Sequence, residues 1–171
     1  DGSVITFGEE KYGGNHLEGN YSAPSDSLVG VEKLYASHRS FAALKNDGSV
    51  VSWGSINDTK VGDTSKANQL TSGVVDIFAT AGAFAALKND GSVVTWGSEN
   101  SGARVDDSEL VDVEKIYRTN TAFAALKKDG SLITWGNTDN GSDSSAVDFD
   151  GQNDDLTVVD VISNAAAFAA I

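Results

Sequence analysis

An all-β fold assembled from repeated antiparallel sheets is predicted by three observations on this 171-residue sequence. The string FAALKNDGSVVSWG at 41–54 returns as FAALKNDGSVVTWG at 84–97 and as FAALKKDGSLITWG at 123–136. Apolar positions within each hairpin alternate with period two, where a helical solenoid would need 3.6-residue spacing. The chain opens on DGSVITFG and closes on NAAAFAAI, the two halves of a fourth copy. A period of about 40 residues with three or four short strands is that of a propeller blade. The expected architecture is therefore a β-propeller forming a single repeat domain over 1–171, with units at 1–40 (completed by 168–171), 41–83, 84–122 and 123–167. Closure at four blades would require residues 168–171 to pair antiparallel with residues 4–7.

Each unit reads as three strands and one irregular stretch. In the first complete unit the strands are VEKLYAS at 31–37, SFAALK at 40–45 and SVVSWG at 49–54, all rich in β-branched or aromatic residues. Asn46-Asp47-Gly48 joins the last two, Gly supplying the positive φ of a tight hairpin, and Asn89-Asp90-Gly91 and Lys128-Asp129-Gly130 repeat it. Leu34, Ile77, Ile116 and Val161 share one core position, and Tyr35, Phe78, Tyr117 and Ile162 share the next. The pairs Ala42-Ala43, Ala85-Ala86, Ala124-Ala125 and Ala169-Ala170 demand two small residues at a fixed place, for which a crowded central axis is the expected reason. Trp53, Trp96, Trp135 and Phe7 put one large ring at each hairpin end, as spacers between neighbouring sheets. The stretches 9–30, 55–73, 98–112 and 137–157 differ in length and sequence; 59–63 and 102–107 are where a fourth strand would come from.

Composition excludes several functions. With 12 Lys plus Arg against 25 Asp plus Glu, the net charge of −13 repels phosphate backbones and anionic membranes, so neither nucleic acid nor membrane insertion is expected. There is no cysteine, hence no disulfide, thiol nucleophile or cysteine-ligated metal. There is no methionine either, which suggests a piece of a longer or processed polypeptide. No segment approaches the roughly 18 apolar residues of a membrane helix.

No catalytic residues are assigned. Nucleophilic catalysis needs a base, and the histidines are His16 and His38, both where the copies disagree. The 25 acidic residues leave room for a glycoside hydrolase in a central mouth, yet none stands in a recognisable acid-pair context. Three arginines, Arg39, Arg104 and Arg118, are a thin supply for anion clamping. No cofactor is predicted, with one metal candidate: Asp148, Asp150, Asn153 and Asp154 concentrate oxygen ligands as the dense half of a Ca²⁺ loop does, without the full spacing or terminal Glu of an EF-hand. Binding positions are sought where the repeats disagree. The turn Ser37-His38-Arg39 corresponds to Thr80-Ala81-Gly82, Thr119-Asn120-Thr121 and Asn164-Ala165-Ala166, and Arg118 replaces Ala36, Ala79 and Ser163. His38, Arg39, Arg118 and Asn120 should thus share one face of the ring and carry recognition.

The unit ALKNDGSVVSWG, preceded by a variable turn and an apolar strand, resembles the repeat of the regulator of chromosome condensation (RCC1) superfamily, whose hairpin reads Leu-Thr-x-Asp-Gly-x-Val-x-x-Trp-Gly. It looks still more like the divergent versions found in large bacterial surface and secreted proteins. All four copies take part. The chain departs from that family at Ser40, Ala83, Ala122 and Ala167, where the eukaryotic type usually has His, and in lacking its Gly-Gln-Leu-Gly element. That family commonly closes seven blades. The resemblance implies a non-enzymatic, adhesin-like module of a larger extracellular or cell-surface bacterial protein. Its partners would be a protein or glycan at the cell surface and neighbouring domains of the parent chain. The alternatives are the central-mouth hydrolase and a guanine nucleotide exchange factor, both left open because fold does not fix function.

Overall fold

The computed structural model describes residues 2–14, 28–55, 64–103, 106–143 and 157–171. Three of its sheets are built alike. Strands β1 (Val31–Ala36), β2 (Ser40–Lys45) and β3 (Val50–Gly54) form the first, β4 (Val74–Ala79), β5 (Ala83–Lys88) and β6 (Val93–Gly97) the second, and β7 (Val113–Arg118), β8 (Ala122–Lys127) and β9 (Leu132–Gly136) the third. A two-stranded sheet, β10 (Val161–Ser163) with β11 (Phe168–Ala170), ends the series. The repetition extends to detail: each first strand slips register at its second residue, between Val31 and Lys33, Val74 and Asp76, and Val113 and Lys115. Such a bulge bends the strand and strengthens its twist. Among the described residues no fourth strand joins a sheet; the linking stretches instead carry 3-10 turns, at Glu10–Tyr12, Thr64–Leu70, Glu99–Ser101 and Thr138–Asn140.

The hairpins close as expected. Gly48, Gly91 and Gly130 have φ of 75°, 83° and 84°. The preceding aspartates lock each turn: Asp47, Asp90 and Asp129 accept from the backbone N–H of Ser49, Ser92 and Ser131 at 3.0, 2.9 and 2.9 Å, and from their hydroxyls at 2.6, 2.6 and 2.7 Å. Those hydroxyl bonds, then the backbone ones, hold all three carboxyls below their usual range. A depressed folded-state pKa adds stability that is full above the unfolded value, near 3.9, and vanishes as pH falls through the folded value. Carboxyl NMR titration should therefore show these three aspartates depressed, and Ser49→Ala should return Asp47 alone among them toward the ordinary value.

The sheets meet through their first strands, β1 lying against β4, β4 against β7 and β7 against β10. The alanine pairs are completely buried at Ala42, Ala43, Ala85, Ala86, Ala124 and Ala125, all at 0% exposure. They lie in the middle strands and not on the axis expected from sequence. The cause is the next sheet's aromatic pair: Ala42 shares a core cluster with Phe84 and Trp96, and Ala85 with Phe123 and Trp135. Phe41–Trp53, Phe84–Trp96 and Phe123–Trp135 stack at 5.5, 5.2 and 5.4 Å between centroids, filling the space the alanines leave.

The loop after each Trp-Gly is also part of the repeat. Gly13, Gly102 and Gly141 each follow the strand-ending glycines Gly8, Gly97 and Gly136 by five residues, and each lies over an aromatic ring of the next sheet. A β-carbon at Gly102, whose φ is +107°, would stand 2.6 Å from Phe123, and the Gly102 carbonyl accepts from Trp135 Nε1 at 2.8 Å. Asp112 departs from another such rule. It occupies the place of Gly30 and Gly73 and, among the described residues, is the non-glycine with a left-handed φ, 56°. Asp112→Gly should raise the urea midpoint, by about 0.5–1 kcal/mol in stability, because the strained conformation suits glycine.

Closure of the ring at four is not formed. No backbone hydrogen bond joins residues 168–171 to residues 4–7; instead Ile171 donates to Asp160 O at 3.0 Å, and its carbonyl accepts from Val159 N–H at 2.7 Å. The N-terminal segment, which forms no strand, keeps beside the first sheet, Val31 N–H donating to Gly2 O at 3.0 Å as Val74 does to Gly48 O and Val113 to Gly91 O. Phe7 is accordingly no spacer. It is 89% exposed where Trp53, Trp96 and Trp135 are 1%, 1% and 5%. Leu34 and Ile162, expected in the core, are 53% and 70% exposed, Leu34 standing in the first sheet and Ile162 in the last.

Candidate functional site

The turns that break the repeat stand on a frame that does not. The first turn residue accepts hydrogen bonds from the start of the next strand in every unit: Ser40 N–H to Ser37 Oγ (3.0 Å), Ala83 N–H to Thr80 Oγ1 (3.1 Å), Ala122 N–H to Thr119 Oγ1 (3.0 Å) and Ala167 N–H to Asn164 Oδ1 (2.8 Å). Ser, Thr and Asn serve there because each offers a short side-chain acceptor. Thr80 and Thr119 also donate to Ser101 O at 2.7 Å and Asn140 O at 2.9 Å, fastening turn to loop.

The second turn residues join one unit to the next. His38 N–H donates to Ala81 O (3.1 Å), Ala81 N–H to Asn120 O (2.7 Å) and Asn120 N–H to Ala165 O (2.9 Å). A continuous rim of backbone hydrogen bonds results. The turns therefore emerge on one face, with His38, Arg39, Arg118 and Asn120 all exposed on or beside it. His38 and Asn120 are separated on this rim by the turn of Ala81. Arg39 places its guanidinium 5.8 Å from the centre of the Tyr12 ring, and Arg118 accepts at its carbonyl from Ser163 Oγ at 2.6 Å. The rim holds two cationic side chains, an imidazole and an amide on an otherwise acidic chain, a surface suited to hydrogen bonding and weak anion recognition.

Below the rim, neighbouring first strands are linked by polar pairs. Lys33 Nζ lies 3.7 Å from Asp76, which also accepts from the Tyr35 hydroxyl, while Lys115 Nζ lies 3.9 Å from Asp160, which accepts from Tyr117 at 2.7 Å. Burial, then the carboxylate bond, pushes both phenols above their ordinary value.

Sequence reasoning missed one buried charge cluster. Lys66 Nζ binds Asp107, their side chains 8% and 10% exposed, and Asp107 also accepts from Thr95 N–H at 3.0 Å and Thr95 Oγ1 at 2.7 Å. A cavity of about 380 Å³ lies beside them, lined also by Lys88, Ser92 and Asp106. Asp107 is committed to three donors and Asp106 accepts from Ser108 N–H at 2.8 Å, so these acids are held as structural acceptors. His16, Arg104 and the calcium candidates Asp148, Asp150, Asn153 and Asp154 lie outside the described residues. Among the described residues no three acidic or histidine side chains gather as a metal site.

Among solved structures the chain is similar to Prp20p from Saccharomyces cerevisiae, a protein described with its binding to Gsp1p and histones. The TM-score is 0.51 and the identity 22%, over 65% of this chain and 32% of that one. Kap60-bound yeast RCC1 (Prp20) gives 0.49 and 22%, over 62% and 29%, and human WBSCR16 gives 0.47 and 21%, over 76% and 41%. The chain thus spans about a third of the yeast protein's length. No protein-family model and no curated protein matches the chain. At this identity the likeness concerns the fold: the sheets are RCC1-like propeller blades.

Proposed function

We propose that this chain is a non-enzymatic interaction module whose turn rim binds a protein or glycan partner, within a larger extracellular protein of the adhesin kind. One observation carries the reading. The rim fixes four turns by backbone hydrogen bonds while letting the side chains differ from unit to unit, which is how a rigid scaffold displays a recognition surface. Repeated framework residues cannot single out one ligand; His38, Arg39, Arg118 and Asn120 can. The acids beside the cavity already hold Lys66, Thr95 and the Ser108 N–H, which weighs against an acid pair free for hydrolysis.

The test is a direct binding screen of the chain against printed surface glycans, immobilised extracellular-matrix proteins and a purified small GTPase. A glycan or matrix binder is expected, with affinity falling at least tenfold in His38→Ala/Arg39→Ala/Arg118→Ala/Asn120→Ala at unchanged circular dichroism. Binding that ignores those four changes sinks the rim assignment. Binding to the GTPase alone, with accelerated nucleotide release, would replace the reading by an exchange factor.

A further inference from the structure

Beside β6, the third strand of the second sheet, stands a charge pair that the repeat does not copy. The Lys66 ammonium and the Asp107 carboxylate are buried together, their side chains 8% and 10% exposed. The charges shared between sheets elsewhere, Lys33 with Asp76 and Lys115 with Asp160, are about half exposed. Asp107 also takes the Thr95 hydroxyl, whereas the equivalent hydroxyl of the third sheet, Thr134 Oγ1, donates to the backbone carbonyl of Ser142 at 2.9 Å. The fold can thus satisfy this position without a charge. A buried ion pair is weak support for stability in any case, since an apolar pair of similar volume often does as well. What the pair achieves is position: it ties the Thr64–Leu70 turn to the 106–111 segment and sets two walls of the adjoining cavity.

That cavity lies at the hairpin end of the sheet, since Lys88 and Ser92 in its lining flank the turn at Gly91, while β5 starts at the rim. It is therefore a different place from the rim. Its volume of about 380 Å³ lies at the small end of the roughly 300–1,000 Å³ usual for ligand sites. Its charges are of both signs. Lys66 and Lys88 are matched by Asp106 and Asp107, so no net charge is left to select an ion, and the −13 of the whole chain repels anions further. Hydrogen-bonding capacity remains. Lys88 donates to Gln69 O at 3.2 Å, which uses one of an ammonium's three donors. The Gln69 amide and the Ser108 hydroxyl can each donate and accept, and Val111, 44% exposed, adds an apolar surface. Donors and acceptors side by side, next to an apolar contact, complement a C–H ring that bears several hydroxyls. We propose that this cavity is a binding site for a small neutral sugar, independent of whatever the rim binds.

Amide NMR titration of the whole chain with glucose, galactose and N-acetylglucosamine tests the site, with sodium acetate and tetramethylammonium chloride as charged probes. At least one sugar should shift the amides of residues 92–94 and 106–111 along a curve that saturates in the millimolar range, and neither salt should. Lys88→Met and Ser108→Ala should each weaken that binding by about three- to tenfold. Val111→Trp, which fills the cavity from an exposed position, should abolish it at unchanged circular dichroism. The rim variant altered at His38, Arg39, Arg118 and Asn120 should bind the sugar as the unaltered chain does. Saturation by acetate or tetramethylammonium, or by none of the sugars, overturns the proposal. Sugar shifts confined to residues 37–39 and 118–120 overturn it too, while supporting the rim as a glycan site.

Discussion

Asp107→Ala should destabilise this protein by about 3–5 kcal/mol, the range for removing one partner of a buried ion pair. Lys66 and Asp107 are 8% and 10% exposed at their side chains, so neither charge has much water to fall back on. The carboxylate also takes the N–H and hydroxyl of Thr95, itself 0% exposed. One substitution thus withdraws an acceptor from an ammonium, a buried amide and a buried hydroxyl. Lys66→Met should cost less, because Asp107 keeps both Thr95 bonds and methionine refills the space of the aliphatic stem. Urea midpoints of the two variants give the ordering. A loss below about 1 kcal/mol for Asp107→Ala would mean that water in the adjoining cavity solvates the lysine.

The repeat made most of the fold legible, because its strands depend on neighbours in sequence. Hairpins such as 40–54 need an alternating apolar pattern and an Asp-Gly turn, and both are local; the observed β2 and β3 match the expected strands to within a residue. The placement of His38 and Asn120 on one face followed from the same gapless alignment. Lys66 and Asp107 were not legible. They stand 41 residues apart, occur in one unit only, and come together through packing of two irregular stretches. The spacing of five from Gly97 to Gly102 was readable but masked by unlike residues between; only the contact with Phe123 shows why glycine must stand there. Closure failed for a different reason. Complementary half-units say which strands can pair, whereas the rotation between sheets decides whether they meet, and no short motif encodes that rotation. The alanine pairs show the same limit. Sequence demanded small residues at Ala42 and Ala85, while the aromatic pairs that require them belong to the next sheet.

Trp96→Ala should be nearly as damaging as Asp107→Ala, at about 3–5 kcal/mol, although no charge is involved. The ring is 1% exposed, stacks on Phe84 at 5.2 Å, and shares its cluster with Ala42, Leu44, Leu70, Val74 and Ile77. Its removal opens a void between two sheets whose backbones are fixed by the rim above and by the Val74 N–H to Gly48 O bond beside it, so collapse is resisted. Against a typical stability of 5–15 kcal/mol for a whole domain, one ring would account for a fifth of the total or more. Phe7 holds the same place in the repeat at 89% exposure. Phe7→Ala should therefore change stability by less than about 0.5 kcal/mol. Urea midpoints of the two variants separate the cases: Trp96→Ala should fall far below the unaltered chain, whereas Phe7→Ala should stay beside it. If Phe7→Ala were as costly as Trp96→Ala, the fourth blade would be closing inside the chain.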